Sequence, residues 1–143
     1  MKSKFFAVRI HKVDLDSILL VIRIVMGAAF MIHGWGKIQN PLHWMGAEAL
    51  VPGILQALAA ISEFGGGLSL ILGLLTRLGG MGLTCTMIVA VIIHAFTLGD
   101  PFVNAKGGSS YELAAVYLTL ALLFAIDGPG KFSIDHKVFG VKS

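Results

Sequence analysis

The segment SILLVIRIVMGAAFMIHGWG, residues 17–36, decides the fold of this chain. A helix of roughly 20 apolar residues spans the hydrocarbon core of a bilayer, which is about 30 Å thick. Three further stretches have similar length and character, at about residues 53–75, 78–98 and 110–127. The four prolines fall between or after these stretches, where helix boundaries are expected because proline disrupts a helix interior. The sequence therefore predicts an all-α membrane protein, a bundle of four transmembrane helices.

The composition excludes several other classes of protein. Of the 143 residues, 56% are hydrophobic and only 13% are charged, whereas soluble domains average about 25% charged residues. A soluble domain of this size could not bury so much apolar surface. The single cysteine, Cys85, excludes an internal disulfide, a Cys-x-x-Cys redox pair and a thiolate metal cage. A soluble enzyme, a disordered chain and a disulfide-rich secreted domain are thus ruled out, and no metal site is expected.

The distribution of lysine and arginine predicts the orientation. One side of the predicted bundle carries eight of these residues: Lys2, Lys4, Arg9, Lys12, Arg77, Lys131, Lys137 and Lys142. The other side carries only Lys37 and Lys106, while Arg23 lies within the first helix. Cytoplasmic loops are enriched in basic residues, so both termini are predicted to lie in the cytoplasm. The surplus of positive charge therefore indicates membrane orientation and not a nucleic-acid partner.

This orientation divides the chain into three parts. Residues 1–16 form a basic cytoplasmic N-tail, residues 17–127 form the transmembrane domain, and residues 128–143 form a cytoplasmic C-tail. The two longer loops, at residues 38–52 and 99–109, then face outward.

Ionisable side chains inside membrane helices are costly, so each needs a partner or a role. Arg23 of the first helix and Glu63 of the second lie at depths that let them approach near mid-membrane. We expect a buried ion pair between them. Two interpretations stay open: the pair only fixes how the helices pack, or it forms a proton or headgroup site.

A second polar layer is predicted in the outer third of the bundle, formed by His33, Lys37, His94 and Glu112. Histidine, lysine and a carboxylate around an apolar cleft favour a site that hydrogen-bonds a quinone or a similar carbonyl. The alternative is that both histidines only satisfy neighbouring polar groups. A bis-histidine haem is disfavoured, because two histidines alone are a weak signal.

Small residues predict where the helices pack. They recur every four residues on the second helix and again on the third, and such stripes allow close approach of helix backbones in lipid. The predicted packing residues are Gly27, Gly34, Gly65, Ser69, Gly73, Gly82, Thr86 and Ala90.

Four sequence pieces together resemble the DoxX family. They are Arg23-Ile-Val-Met-Gly27 with His33-Gly34 and Lys37; Glu63-Phe-Gly-Gly-Gly67 with Gly73-Leu-Leu-Thr-Arg77; Glu112; and Gly128-Pro-Gly130-Lys-Phe-Ser133-Ile-Asp135. The resemblance runs from about residue 15 to 136. It implies a small four-helix protein of the bacterial inner membrane, with some relatives in quinone-linked oxidoreductases and others in membrane assemblies that handle oxidative stress.

The sequence shows no flavin, haem, iron–sulfur or dithiol motif, so no intrinsic cofactor is expected, and electrons would come from a partner or a bound quinone. The preferred hypothesis is a subunit of a membrane-bound, quinone-linked oxidoreductase or oxidative-stress complex. A non-catalytic scaffold or assembly factor is the alternative, and a small transporter or proton pathway is the third. Expected partners are the lipid bilayer and other membrane or peripheral redox subunits, while self-association and intrinsic enzyme activity stay open.

Overall fold

The computed structural model describes residues 12–46 and 48–140, and within them the chain is helical, without strands. The helices are α1 (Lys12–Gln39), α2 (Gly53–Leu72), α3 (Thr76–Ile92), which continues as a π-helix (Ile93–Thr97), α4 (Glu112–Ile126) and the short α5 (Ile134–Phe139). The first helix thus begins earlier than predicted, and α2 ends before the predicted residue 75. Most of the predicted N-tail lies outside the described residues.

Within residues 12–46 and 48–140, three helical runs are long and apolar enough to cross a membrane. They are Leu15–Gln39, Gly53–Leu72 and Thr76–Thr97, with 25, 20 and 22 residues. The fourth apolar helix, Glu112–Ile126, has 15 residues, which at 1.5 Å per residue is about 22 Å long. The prediction of a helical membrane protein is confirmed, and the fourth predicted crossing is a shorter helix than the other three.

The helices share one apolar core, to which α1 to α4 all contribute. Its buried members are Leu19, Met26, Phe30, Leu70, Leu83, Met87, Ala121 and Phe124. Large apolar side chains are also exposed around the outside of the bundle; Ile32 is 77% exposed and Val25 is 66% exposed. An apolar exterior of this extent is typical of a surface that contacts lipid.

The closest helix contact joins α1 to α2 through glycines. A Cβ at Gly27 would lie 2.7 Å from the carbonyl oxygen of Gly67, and a Cβ at Gly34 would lie 2.6 Å from the backbone nitrogen of Phe64. Both distances are shorter than real Cβ contacts, so the backbones of α1 and α2 touch directly at these positions. Gly27 and Gly34 therefore lie in the packing face where the sequence predicts them.

The predicted small-residue stripes on α2 and α3 lie only partly in helix contacts. A Cβ at Gly82 would lie 3.1 Å from the Ser62 hydroxyl, and a Cβ at Gly79 would lie 2.6 Å from the Ser69 hydroxyl. Gly65 instead faces open space, and a methyl group added there would have no atom within 4 Å. Gly65 faces outward because two residues turn a helix by 200°, which puts Gly65 roughly on the opposite side of α2 from the buried Glu63.

The other predicted packing residues have separate structural roles. Gly73 ends α2 with a φ of 65°, a left-handed conformation that glycine adopts without steric cost. Thr86 donates its hydroxyl to the Gly82 carbonyl at 3.1 Å, and Ala90 packs against the apolar core.

The α2–α3 turn is held by the C-terminal segment. The Asp135 carboxylate accepts hydrogen bonds from the backbone N–H groups of Leu75, at 2.8 Å, and Thr76, at 2.9 Å. The N–H of Asp135 donates to the Gly73 carbonyl at 2.7 Å. A carboxylate at this place satisfies free N–H groups at the start of α3 and complements its dipole. The segment around Asp135 is therefore hydrogen-bonded to the α2–α3 turn.

Candidate functional site

The buried arginine of α1 bonds to backbone carbonyls. Arg23 is only 1% exposed. Its Nε donates to the Leu70 carbonyl at 2.8 Å and its Nη2 to the Ile71 carbonyl at 3.3 Å. Its Nη1 donates to the carbonyls of Pro129, at 3.1 Å, and Phe132, at 2.8 Å. The guanidinium therefore joins α1, the C-terminal end of α2 and the segment after α4, and carbonyls at a helix C-terminus carry the partial negative charge that favours a cation.

The expected ion pair between Arg23 and Glu63 is replaced by other contacts. Arg23 meets α2 at Leu70, seven residues beyond Glu63, and this separation is about 10 Å along the helix axis. Because α2 ends at Leu72, carbonyls near its C-terminus lie within reach of Arg23, and they use the donors of the guanidinium. The arginine is thus bonded without a carboxylate.

Glu63 forms its ion pair with Lys37 of α1. The Lys37 Nζ lies 2.6 Å from the Glu63 Oε1, and the two side chains are 25% and 4% exposed. The same ammonium lies 4.3 Å from the centroid of the Trp44 ring, a cation–π contact. The second carboxylate oxygen, Oε2, is buried and has no hydrogen-bond partner among the described residues. A buried polar atom without a partner is costly and uncommon in native proteins, so this oxygen needs an explanation.

Glu63 lines a cleft of about 450 Å³ between the loop-facing halves of α2 and α3, which we call the α2–α3 cleft. Its lining residues include Lys37, Trp44, Gln56, Glu63, Thr86 and His94. The other lining groups are mostly apolar. Several of them are also exposed on the outside of the bundle, namely Leu55, Leu58, Val89 and Leu98. The cleft therefore borders the surface that contacts lipid.

A buried glutamine holds the loop that covers the cleft. Gln56 is 2% exposed. Its Oε1 accepts from the Met45 N–H at 3.0 Å, and its Nε2 donates to the Val51 carbonyl at 2.8 Å. The backbone carbonyl of Gln56 accepts a hydrogen bond from the Trp44 indole N–H at 2.9 Å. Gln56 was not among the predicted site residues, although an amide among the apolar residues at the start of α2 is a usable signal.

The histidine of the cleft lies in the π-helical end of α3. His94 is within Ile93–Thr97, and π-helical turns are frequent at functional sites. Its Nδ1 is 2.7 Å from the Asp100 Oδ2, and its carbonyl accepts from the Asp100 N–H at 2.8 Å. Asp100 is a second residue that the sequence analysis missed, because it follows the helix in a loop. The aspartate fixes the ring orientation, with Nδ1 facing the loop.

The structure brings together two of the four residues predicted to bind a quinone-like ligand. Lys37 and His94 both line the α2–α3 cleft, as does Glu63. His33 and Glu112 are exposed and lie outside that lining. On a helical wheel, His33 points roughly 60° away from the centre of the buried face of α1. His33 therefore lies beyond the edge of the face that α1 buries.

Comparisons with known proteins match a sequence family and relatives along most of their length. The sequence model of the DoxX family matches residues 18–95. The inner membrane protein YqjF of Escherichia coli is 35% identical over 128 residues, covering 82% of this chain and 89% of that protein. An uncharacterized protein of Haemophilus influenzae is 32% identical over 123 residues, covering 85% of this chain and 90% of that protein. No solved structure matches the chain.

The matched range includes Arg23, Lys37, Glu63 and His94, while Asp100 and Glu112 lie beyond it. The relationship to an inner membrane protein and the three membrane-length helices place this protein in the bacterial inner membrane. The chain belongs to the DoxX family.

Proposed function

We propose that this protein is the quinone-binding subunit of a membrane redox complex and that the α2–α3 cleft is its binding site. The observation that carries the proposal is Glu63, which lines a mostly apolar cleft and whose buried Oε2 has no partner among the described residues. A ligand with a polar ring and an apolar tail matches this combination. Pockets for small molecules typically have about 300–1,000 Å³ and a few polar groups in an apolar lining, and the cleft volume of about 450 Å³ falls within that range.

The position of the cleft supports a ligand that arrives through the membrane. Leu58 and Val89 line the cleft and are 57% and 48% exposed on the outside of the bundle. A lipid-soluble molecule could therefore enter the cleft from the bilayer, between α2 and α3, without passing the loops. This route suits a quinone with an isoprenoid tail, whose ring would reach the polar groups while the tail stays in lipid.

The polar residues of the cleft have complementary roles in this proposal. Lys37 supplies N–H donors beyond the one that bonds to Glu63, since an ammonium carries three. His94, oriented by Asp100, is a second group able to bond to a ring oxygen. A bound quinone would supply electron transfer that is coupled to proton transfer. The protein itself would bind and orient the ring, and a separate redox subunit would supply or remove the electrons.

The proposal predicts saturable binding of decylubiquinone, measured through Trp44. The chain has two tryptophans; Trp35 is 59% exposed, and Trp44 lines the cleft. In a Trp35→Phe background, Trp44 is the remaining tryptophan reporter, and its fluorescence should be quenched by decylubiquinone in a saturable titration. Ala59 also lines the cleft, so Ala59→Phe should fill the site and abolish the saturable phase.

Ala28→Phe is the matched control, because Ala28 is exposed on α1 and outside the cleft lining; it should leave the titration unchanged. Quenching that never saturates, or that is equal with Ala59→Phe, would contradict the proposal. Purified protein that retains a redox partner but binds no quinone would support a scaffold or assembly factor instead. Proton or solute flux through reconstituted protein without quinone would support the transporter hypothesis.

The proposal also includes four membrane crossings with both termini in the cytoplasm. The N-terminal half of α1, the end of α2 and the segment after α4 meet at Arg23, so the four long helices alternate in direction. The basic residues lie on the side of the termini by eight to two. Topology reporters placed after Ser143 and after Gly108 should therefore report opposite sides of the membrane. Reporters on the same side would exclude four crossings.

A further inference from the structure

We infer that the α2–α3 cleft selects the reduced, hydroxyl-bearing form of its ligand, a quinol, through a hydrogen bond to the Glu63 Oε2. This inference rests on the proposed function and adds the redox form that is bound. It concerns the equilibrium of binding and requires no reaction step within the cleft.

The selection follows from the chemistry of the unpartnered oxygen. The Glu63 Oε1 is held by the Lys37 ammonium at 2.6 Å, so the carboxylate is engaged as the anion of an ion pair. An ionised carboxylate only accepts hydrogen bonds. The buried Oε2 therefore needs a donor, and among the described residues it has none.

The two redox forms of a quinone differ in what they offer to this oxygen. A quinol hydroxyl donates its O–H, and its oxygen can also accept from Lys37 or from His94. A quinone carbonyl only accepts, so it could bond to Lys37 but would place its lone pairs against those of Oε2. The quinol satisfies both members of the Lys37–Glu63 pair, while the quinone leaves the carboxylate oxygen without a donor.

We expect decylubiquinol to bind at least about tenfold more tightly than decylubiquinone, because hydrogen bonds to a charged group are the stronger kind. Quinone titrations of the Trp35→Phe protein give one affinity, and displacement of quinone by quinol gives the other. For a two-electron couple, tenfold tighter binding of the reduced form raises the midpoint potential of the bound ligand by about 30 mV. Redox titration of the complex therefore provides an independent measurement.

Two probes assign the effect to the carboxylate. A quinol with both hydroxyls methylated cannot donate and should bind no more tightly than the quinone. Glu63→Gln replaces an acceptor by an amide that also donates, so the preference for quinol should fall to about one or reverse. Glu112→Gln, the same substitution at an exposed carboxylate outside the cleft lining, should preserve the tenfold preference.

The outcomes separate this inference from the proposed function. Equal affinity for quinol and quinone, or a preference unchanged by Glu63→Gln, would overturn the inference while leaving a quinone site in place. Tight binding of the methylated quinol would overturn it as well, and this readout does not depend on a variant that folds. Failure of both redox forms to bind would overturn the inference together with the proposed function.

Discussion

Replacing Arg23 with methionine is expected to lower the free energy of unfolding by at least about 3 kcal/mol. The change removes all four hydrogen bonds from the guanidinium to backbone carbonyls of α2 and the C-terminal segment. Hydrogen bonds to a charged group contribute about 1.5–3 kcal/mol each. Removing the cation also removes its desolvation cost of several kcal/mol, so the net loss is smaller than the sum of the four bonds. Thermal unfolding in detergent, followed by circular dichroism, measures the loss.

Arg77→Met is the matched control, because Arg77 is exposed at the start of α3; exposed substitutions usually change stability by less than about 0.5 kcal/mol. Arg23→Lys should recover only part of the loss, since an ammonium cannot reproduce the planar set of donors. Combining Arg23→Met with Glu63→Gln should give additive losses, because the two side chains share no partner. Equal stability of Arg23→Met and Arg77→Met would show that the guanidinium does not hold the bundle together.

The second large effect is expected where the backbones of α1 and α2 touch. Gly67→Ala should lower the free energy of unfolding by about 2 kcal/mol. The new methyl group would lie 2.7 Å from the Gly27 carbonyl oxygen and 2.8 Å from the Met31 nitrogen, and neither backbone atom can move without shifting α1. Overpacking of this kind costs about 1–3 kcal/mol, which exceeds the gain of up to about 1 kcal/mol from the better helix propensity of alanine.

Gly65→Ala provides the comparison on the same helix, two residues away. Gly65 has no atom within 4 Å of the added methyl group, so only the gain in helix propensity remains, and the bundle should be stabilised by up to about 1 kcal/mol. The difference between the two variants is then about 3 kcal/mol for the same chemical change. Similar unfolding temperatures for both would mean that α1 and α2 do not cross at Gly67.

The helices and their contacts could be predicted from the sequence because they depend on side-chain size and polarity. Long apolar runs identify the helices, and Gly27 and Gly34 mark the close crossing of α1 and α2. Lys37 and His94 can be assigned to one site because both are ionisable and lie near the same ends of their helices. These features are properties of the residues themselves and need no knowledge of the turns.

The partners of the buried charges could not be predicted in the same way. Arg23 donates to backbone carbonyls. Every residue has a backbone carbonyl, so the identity of the residues does not show which ones accept these hydrogen bonds. The position where α2 ends decides which carbonyls are free, and this end lies three residues before the predicted one. Gln56 and Asp100 were missed because their roles depend on loops whose paths the sequence pattern does not specify.

The bonds of Arg23 also set an order of events during synthesis. Two of its acceptors, the carbonyls of Pro129 and Phe132, lie 106 and 109 residues later in the chain. At about 5–20 residues per second, a ribosome needs roughly 5–20 s to make that stretch. Once Leu70 and Ile71 have been made, and until Pro129 and Phe132 follow, only half of the acceptors that the arginine uses in the finished protein are present. The bundle therefore closes around its buried cation only after Phe132 has been made.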